Sequence, residues 1–253
     1  MKSKSLFAGA VVIVVGAGLF VGGDASAKGA AKKPKVPVVG MVTEGIAERL
    51  HAPKKKGKKT EKADVGKTFT AMCEGTVAQW KVSDLGDDGA WVGNFVGGAK
   101  PKRCMLLDSG KDSVTAAKGR PNPTTQQTAA AKAAATAALA GKGGADPGKL
   151  EITLFHDGDE MVAVAQAQKA ATGKSNCLDH TSLVILVENE GGKWSPVFKP
   201  SAKGKDVCGY GFFTRGDIDG DGRDEIALRV DKVDGYAYRV LKRTKKSYDV
   251  VVK

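Results

Sequence analysis

The sequence lacks the motifs that mark common nucleophilic and nucleotide-dependent enzymes. It has no G-x-S-x-G segment around a serine and only three histidines, His51, His156 and His180. Gly173-Lys174-Ser175 matches the end of a phosphate-binding loop, but Gln168 stands where that motif requires its first glycine. We therefore expect a non-enzymatic protein. The alternative is a secreted hydrolase that uses the acidic residues near His156 or His180.

Cysteine is scarce and is not spaced for zinc. No two of the four cysteines lie within two to four positions of each other, which is the usual ligand spacing of a structural zinc site. An even number indicates disulfides and an oxidising compartment, and four cysteines allow three pairings. The first two and the last two are separated by the same interval. We predict the simplest pairing, within each half of the chain: Cys73–Cys104 and Cys177–Cys208.

Long apolar runs are absent after the N-terminal stretch at residues 6–21. Two lysines precede this stretch, and Ala25-Ser26-Ala27 follows it with the small residues that signal peptidase requires. We expect cleavage between Ala27 and Lys28, a secreted or periplasmic protein, and no membrane span after signal removal. The alternative is a protein anchored by an uncleaved N-terminal segment, because the apolar stretch is near the minimum spanning length.

Acidic residues are rare in residues 28–62, where eleven Lys or Arg oppose three Glu in a chain of net charge +12. Clustered lysines with few aromatics predict a disordered segment. A helix at residues 42–50 would be too short to persist alone. The segment is either a solvated linker or a tether to acidic envelope polymer or anionic lipid. We do not expect nucleic acid as a partner, because no aromatic side chains interleave with the lysines for base stacking.

The residues after the basic segment predict a mainly β fold. The whole chain divides into five segments. After the signal peptide (1–27) and the basic segment (28–62), residues 63–115 form a small β unit with Trp80, Trp91 and Phe95 as core anchors. Residues 116–148 form a Pro/Ala-rich linker. Its alanine run predicts a helix that Thr124 or Thr125 caps and Gly141 ends, and that acts as a semi-rigid spacer.

Residues 149–253 predict an antiparallel β domain made of short strands joined by tight turns. The segment His156-Asp157-Gly158-Asp159 is the turn of its first hairpin. Another loop, at residues 216–225, places Asp217, Asp219, Asp221 and Glu225 within nine positions. Such charges repel each other without a cation, and calcium accepts six to eight oxygen ligands in irregular geometry. Magnesium, or an Asp/Gly turn without a metal, is the alternative.

The loop pattern D-x-D-G-D-G-x-x-E, followed by an apolar strand, resembles the calcium loop of FG-GAP/VCBS-type repeats over residues 210–240. An EF-hand is excluded, because its twelfth position needs an acid and here holds Leu228. The resemblance implies one blade-like calcium loop in an exported bacterial binding or structural module. It also implies that the ion is bound by the side chains of Asp217, Asp219, Asp221 and Glu225. The backbone carbonyl of Arg223 would be a further ligand.

Overall fold

Strands dominate the fold, which confirms the prediction of a mainly β protein. The structure is a computed structural model that describes residues 38–50, 64–98, 100–108, 122–140, 149–170, 177, 180–200, 207–245 and 247–252. The predicted signal peptide with its cleavage site at Ala27 and Lys28 lies outside these residues. So do the lysine clusters that flank residues 38–50. Within the described residues, no helix has the length and apolarity to cross a bilayer.

Six antiparallel strands close into a barrel in the order β1-β2-β5-β4-β3-β6. Their bounds are β1 Val38–Thr43, β2 Ile46–Arg49, β3 Thr68–Cys73, β4 Thr76–Leu85, β5 Trp91–Phe95 and β6 Arg103–Leu107. Trp80 and Trp91 are buried in the barrel core as predicted, with Phe69 stacked on Trp91 at 4.7 Å between ring centroids. Phe95 is only partly buried against this core.

The prediction of disorder is wrong for residues 38–50, which form β1 and β2. Val38, Met41 and Val42 are fully buried, so these strands contribute to the core rather than to a solvated segment. Glu44 and Gly45 join β1 to β2 in a two-residue turn with positive φ at both positions, 50° and 89°. Positive φ at both central residues gives the turn type that matches the twist of paired strands. The prediction was based on the high average charge of residues 28–62, and that average includes this short apolar hairpin.

Eight further strands form one sheet in the order β14-β13-β12-β11-β9-β8-β7, with β10 paired to β9. Their bounds are β7 Glu151–Asp157, β8 Glu160–Ala170, β9 His180–Glu190, β10 Lys193–Phe198, β11 Val207–Gly216, β12 Glu225–Lys232, β13 Gly235–Arg243 and β14 Tyr248–Val252. One contact departs from the predicted antiparallel pattern. β11 meets β9 in parallel at Gly209 and Ser182, because β10 occupies the same edge of β9 further along, from Leu186 to Glu190.

Helix α1 spans Thr125–Ala140 and begins where the sequence predicts. The Thr124 hydroxyl accepts a hydrogen bond from the Gln127 N–H at 3.2 Å, and the Gln127 side chain accepts one from the Thr124 N–H at 2.8 Å. This reciprocal pair is a capping box. The helix ends at Ala140, directly before Gly141.

Helix α1 packs on the sheet instead of acting as the semi-rigid spacer that was predicted. Ala131, Ala135 and Leu139 are buried against a sheet face formed by alanines of β8 and by Ile185 and Val187 of β9. Strand alternation explains this face, because Ala163 and Ala165 point to the helix while Val162 and Val164 point to the opposite core. Small side chains on both surfaces let the backbones approach closely, so an alanine-rich helix can bury area here.

The barrel and the sheet share a core, within one compact unit that extends from Pro34 to Lys253. Met41, Met72 and Met105 of the barrel pack in one cluster with residues of β11–β14, including Phe213 and Tyr238. The turn between β3 and β4 also hydrogen-bonds to β11. There the Glu74 N–H donates to the Thr214 hydroxyl at 3.0 Å and the Gly75 N–H to the Arg215 carbonyl at 3.1 Å.

Both predicted disulfides are present, Cys73–Cys104 and Cys177–Cys208. The first joins β3 to β6, which are neighbours in the barrel, one position beyond the Met72–Met105 pair. The second joins Cys177, ahead of β9, to Cys208 at the start of β11. It therefore lies close in sequence to the single parallel contact between these two strands.

Candidate metal centre

The acidic loop is the connection between β11 and β12. Gly216 and Glu225 face each other as the last pair of that antiparallel ladder, so the intervening residues must turn back within a short span. Ile218 is almost completely buried and packs in the core between the barrel and the sheet. The loop is thus anchored at one apolar side chain while its carboxylates gather on the other side.

Asp217 organises the backbone of the loop. Its Oδ1 accepts a hydrogen bond from the Gly220 N–H at 2.7 Å, and its Oδ2 accepts one from the Gly222 N–H at 2.9 Å. Both glycines have positive φ, 77° and 83°, which only glycine adopts without strain. The alternating glycines of the sequence are therefore explained by the tight wrapping of the loop around one carboxylate.

Three carboxylates converge into a triad that could hold a metal ion: Asp217, Asp219 and Glu225, with one oxygen of each within 4.8 Å of the others. Glu225 is 1% exposed, and its Oε2 accepts a hydrogen bond from the Ile218 N–H at 3.1 Å. The Oδ1 atom of Asp219 is buried and has no hydrogen-bond partner among the described residues. A buried oxygen without a partner is costly, and a bound cation would satisfy it.

Lys242 of β13 is the residue that the sequence analysis missed at this centre. Its Nζ lies 2.7 Å from Asp221 Oδ2 and 3.2 Å from Glu225 Oε1, and it also contacts Asp219 Oδ2. In the β12–β13 ladder, Glu225 and Lys242 lie one step beyond the Ile226–Leu241 pair. One ammonium group thus bridges three carboxylates of the loop.

The charge of Lys242 alone does not offset the cost of ionising the buried Glu225 in the triad. Burial raises the pKa of Glu225 to about 8, although the Ile218 N–H and the Lys242 ammonium act to lower it. Burial alone would lower the pKa of Lys242, but its hydrogen bonds to Asp219 and Asp221 raise that pKa overall, so the lysine is charged. Because Glu225 still resists ionisation, a divalent cation would stabilise the charged triad further.

Two predicted ligands lie outside the triad. Asp221 is half-exposed, and its Oδ1 accepts a hydrogen bond from the Arg223 N–H at 3.0 Å while its Oδ2 contacts Lys242. The Arg223 side chain points away from the loop, with one guanidinium nitrogen 3.5 Å from Glu160. Coordination by Asp221 and by the Arg223 carbonyl stays a prediction.

A carboxylate from another hairpin supports the exit of the loop. Asp157, at the end of β7, accepts a hydrogen bond from the Asp224 N–H through Oδ1 at 2.7 Å. The sequence predicted only a turn at this position. Asp224 also forms an ion pair with Arg215, whose guanidinium lies over the Phe155 ring at 4.2 Å from its centroid. The residue before Glu225 is therefore fixed by two contacts, with Asp157 and with Arg215.

The histidine sites of the alternative hydrolase differ from this centre. His156 lies on β7 next to Asp157, and neighbouring strand residues point to opposite faces, so the two do not face a common site. His180 begins β9. Glu160, which begins β8 across the hairpin from His156, contacts the guanidinium groups of both Arg223 and Arg243.

Comparison with known proteins gives no match to this chain among protein-family models, curated proteins or solved structures. The resemblance of the loop to FG-GAP/VCBS-type repeats therefore stays a prediction from its residues.

Proposed function

We propose that this is an exported, non-enzymatic protein whose β11–β12 loop binds calcium, and that it serves as a binding or structural module of the cell envelope or extracellular space. The observation that carries the proposal is the triad of Asp217, Asp219 and Glu225, together with the buried Oδ1 of Asp219, which has no hydrogen-bond partner among the described residues. A plain turn would have no need to bury three carboxylates together.

Calcium is preferred over other ions because of the donor set and its surroundings. All three triad donors are carboxylate oxygens, which suit hard cations rather than zinc or copper. Both oxygens of Asp217 already accept a backbone N–H group, which limits how freely this carboxylate can reorient around an ion. Magnesium demands near-ideal octahedral coordination, whereas calcium tolerates an irregular oxygen shell.

Two observations support export and a non-enzymatic role. Both disulfides are formed, as is typical of proteins in oxidising compartments. Glu160, an acid of the same hairpin as His156, is engaged by the guanidinium groups of Arg223 and Arg243. Glu160 therefore serves better as an ion-pair partner than as a catalytic acid.

The experiment is a calorimetric titration of the oxidised protein with calcium and, separately, with magnesium. We expect one calcium site, weaker binding of magnesium, and loss of calcium binding in Asp219→Ala. Asp234→Ala is the matched control, because Asp234 is exposed at the far end of the β12–β13 hairpin. Calcium should also raise the melting temperature of the wild type, since a ligand that binds only the folded state stabilises it. Identical titrations of wild type and Asp219→Ala would refute the proposal.

A further inference from the structure

The Lys242 ammonium contacts carboxylates that a metal ion in the loop would also need. It contacts Asp219 and Glu225, two of the three triad members, and also Asp221. Two of these carboxylates are well buried, so the ion pairs are shielded from water more than ordinary surface pairs. The lysine is thus a counter-ion built into the chain.

We propose that Lys242 is a tethered cation that competes with calcium for the loop. This inference rests on the proposed function. A divalent ion held by Asp219 and Glu225 would stand within a few ångströms of the ammonium, and like charges at that distance repel strongly in a partly buried site. The lysine side chain has a flexible four-carbon stem, so the ammonium can leave while the backbone stays in the ladder.

The backbone of Lys242 is fixed between two strands, so its ammonium group cannot diffuse away from the loop. β13 pairs with β12 on one side and with β14 on the other, where Lys242 faces Asp249. A competitor attached to the site in this way has a high effective concentration that dilution cannot lower. The loop therefore keeps a counter-charge when calcium is absent, and calcium must displace an ammonium in order to bind.

Two consequences of opposite sign follow for a variant that lacks the ammonium. Without calcium it loses the counter-ion of three carboxylates, so its folded state should be less stable than that of the wild type. With calcium it has no competitor, so its affinity should be higher. A lysine with only a structural role would give the first effect without the second.

The test compares wild type, Lys242→Met and Lys232→Met by calcium titration and by thermal denaturation in a chelating buffer. Methionine keeps an unbranched apolar stem and removes the charge. Lys232 is the matched control, because it is an exposed lysine at the opposite end of the same hairpin. We expect Lys242→Met to melt at a lower temperature without metal and to bind calcium about tenfold more tightly, which corresponds to about 1.4 kcal/mol. Lys232→Met should match the wild type in both measurements.

The outcomes separate this inference from the proposed function. Equal calcium affinity in wild type and Lys242→Met overturns the competition while leaving the calcium site intact. Absence of calcium binding in every variant overturns both. Binding by Lys242→Met but not by the wild type supports competition in its extreme form. If Lys242→Met does not fold, Lys242→Gln retains a hydrogen-bond donor without the charge, and the same comparison applies to it.

Discussion

The Oδ1 atom of Asp157 accepts a hydrogen bond of 2.7 Å from the backbone N–H of Asp224, across 67 positions of sequence. This bond connects the end of β7 to the residue before Glu225, so a hairpin outside the loop positions one member of the triad. We therefore treat Asp157 as a positioning residue for the metal centre.

Asp157→Ala should weaken calcium binding by about tenfold or more, in the range usual for groups that orient metal ligands. Asp157→Asn keeps an oxygen that can accept the Asp224 N–H and should bind calcium nearly as well as the wild type. Calorimetric titration of the two variants measures the difference. Equal losses in both would show that charge, rather than the hydrogen bond, is what Asp157 contributes.

Gly216→Ala should destabilise the fold by about 1–3 kcal/mol, the usual cost of overpacking. A Cβ atom at Gly216 would overlap the side chain of Met72, which is fully buried between the barrel and the sheet. Gly211→Ala is the control on the same strand, because its Cβ would meet Gln166 at an ordinary 3.6 Å. Urea denaturation measures both. The double variant Gly216→Ala/Met72→Ala should lose less stability than the two single losses added together.

Ala135→Leu tests whether helix α1 is packed on the sheet rather than free. Ala135 is fully buried, so added side-chain volume should cost about 1–3 kcal/mol of unfolding free energy. Ala133→Leu lies on the exposed side of the helix and should change stability little, since alanine and leucine are both strong helix formers. Equal stability of the two variants would favour the free spacer.

Stability in metal-free buffer should fall as the pH rises above the ordinary carboxyl range. Burial, and then repulsion by Asp157, raises the pKa of Glu188 above its ordinary value of 4.5, and burial likewise raises the pKa of Asp157. Facing groups oppose this rise in both acids: Tyr248 and Arg223 for Glu188, and the Asp224 N–H, Arg223 and Arg243 for Asp157.

The sign follows from proton binding. Between its unfolded and its raised folded pKa, each acid keeps its proton only in the folded state, so its contribution to the free energy of unfolding is fully present below the ordinary carboxyl range and declines above it. Glu188→Gln should make this decline shallower in urea denaturation at several pH values. Glu151→Gln, at an exposed position on β7, should reproduce the wild-type slope. A steeper slope in Glu188→Gln would contradict the assignment.

Attraction to anionic surfaces should depend on the lysines between β2 and β3. A truncation at Ala63 is unsuitable, because it would delete two strands of the barrel. Neutral substitutions by glutamine are suitable instead, at Lys54, Lys55, Lys56, Lys58 and Lys59. The control neutralises five exposed lysines elsewhere, at Lys100, Lys102, Lys132, Lys193 and Lys232.

The variant with five glutamines between β2 and β3 should show less retention on anionic vesicles than the control variant. Retention of the wild type should fall with added salt, because the Debye length shrinks to about 3 Å at 1 M. Equal retention of both variants at low salt would show that the lysines between β2 and β3 form only a solvated linker.

Sequence patterns predicted the C-terminal sheet well and the barrel poorly, for a physical reason. Most of the connections between strands β7–β14 contain Gly, so local sequence information is sufficient to predict these strands. In contrast, β1 and β2 are short and surrounded by lysines, and their burial depends on strands far along the chain. The available signal was the dipeptide at Glu44 and Gly45, which recurs at Glu74 and Gly75 and forms the same turn.

The carboxylates of the candidate site were visible in the sequence, but its internal cation was not. An Asp-Gly dipeptide, the usual signal of a two-residue hairpin turn, stands at residues 234–235. The structure places the turn one residue earlier, with Lys232 opposite Gly235. In an antiparallel hairpin, that shift moves every cross-strand partner by two positions, which exchanges Thr244 for Lys242 opposite Glu225. Register is fixed by the exact turn, and turn positions are the part of a strand pattern that local sequence specifies least.

The position of β1 between β2 and β6 makes the first barrel strand depend on the last. A chain that emerges in order from a ribosome or a secretion channel presents β1 long before β6. The barrel cannot close until residue 107 has emerged, and Cys104, on β6, reaches Cys73 at the same stage. Until then β1 and β3 each keep an unpaired edge, and such edges recruit strands from other chains. A chain that stopped before β6 would therefore be an open sheet prone to aggregate.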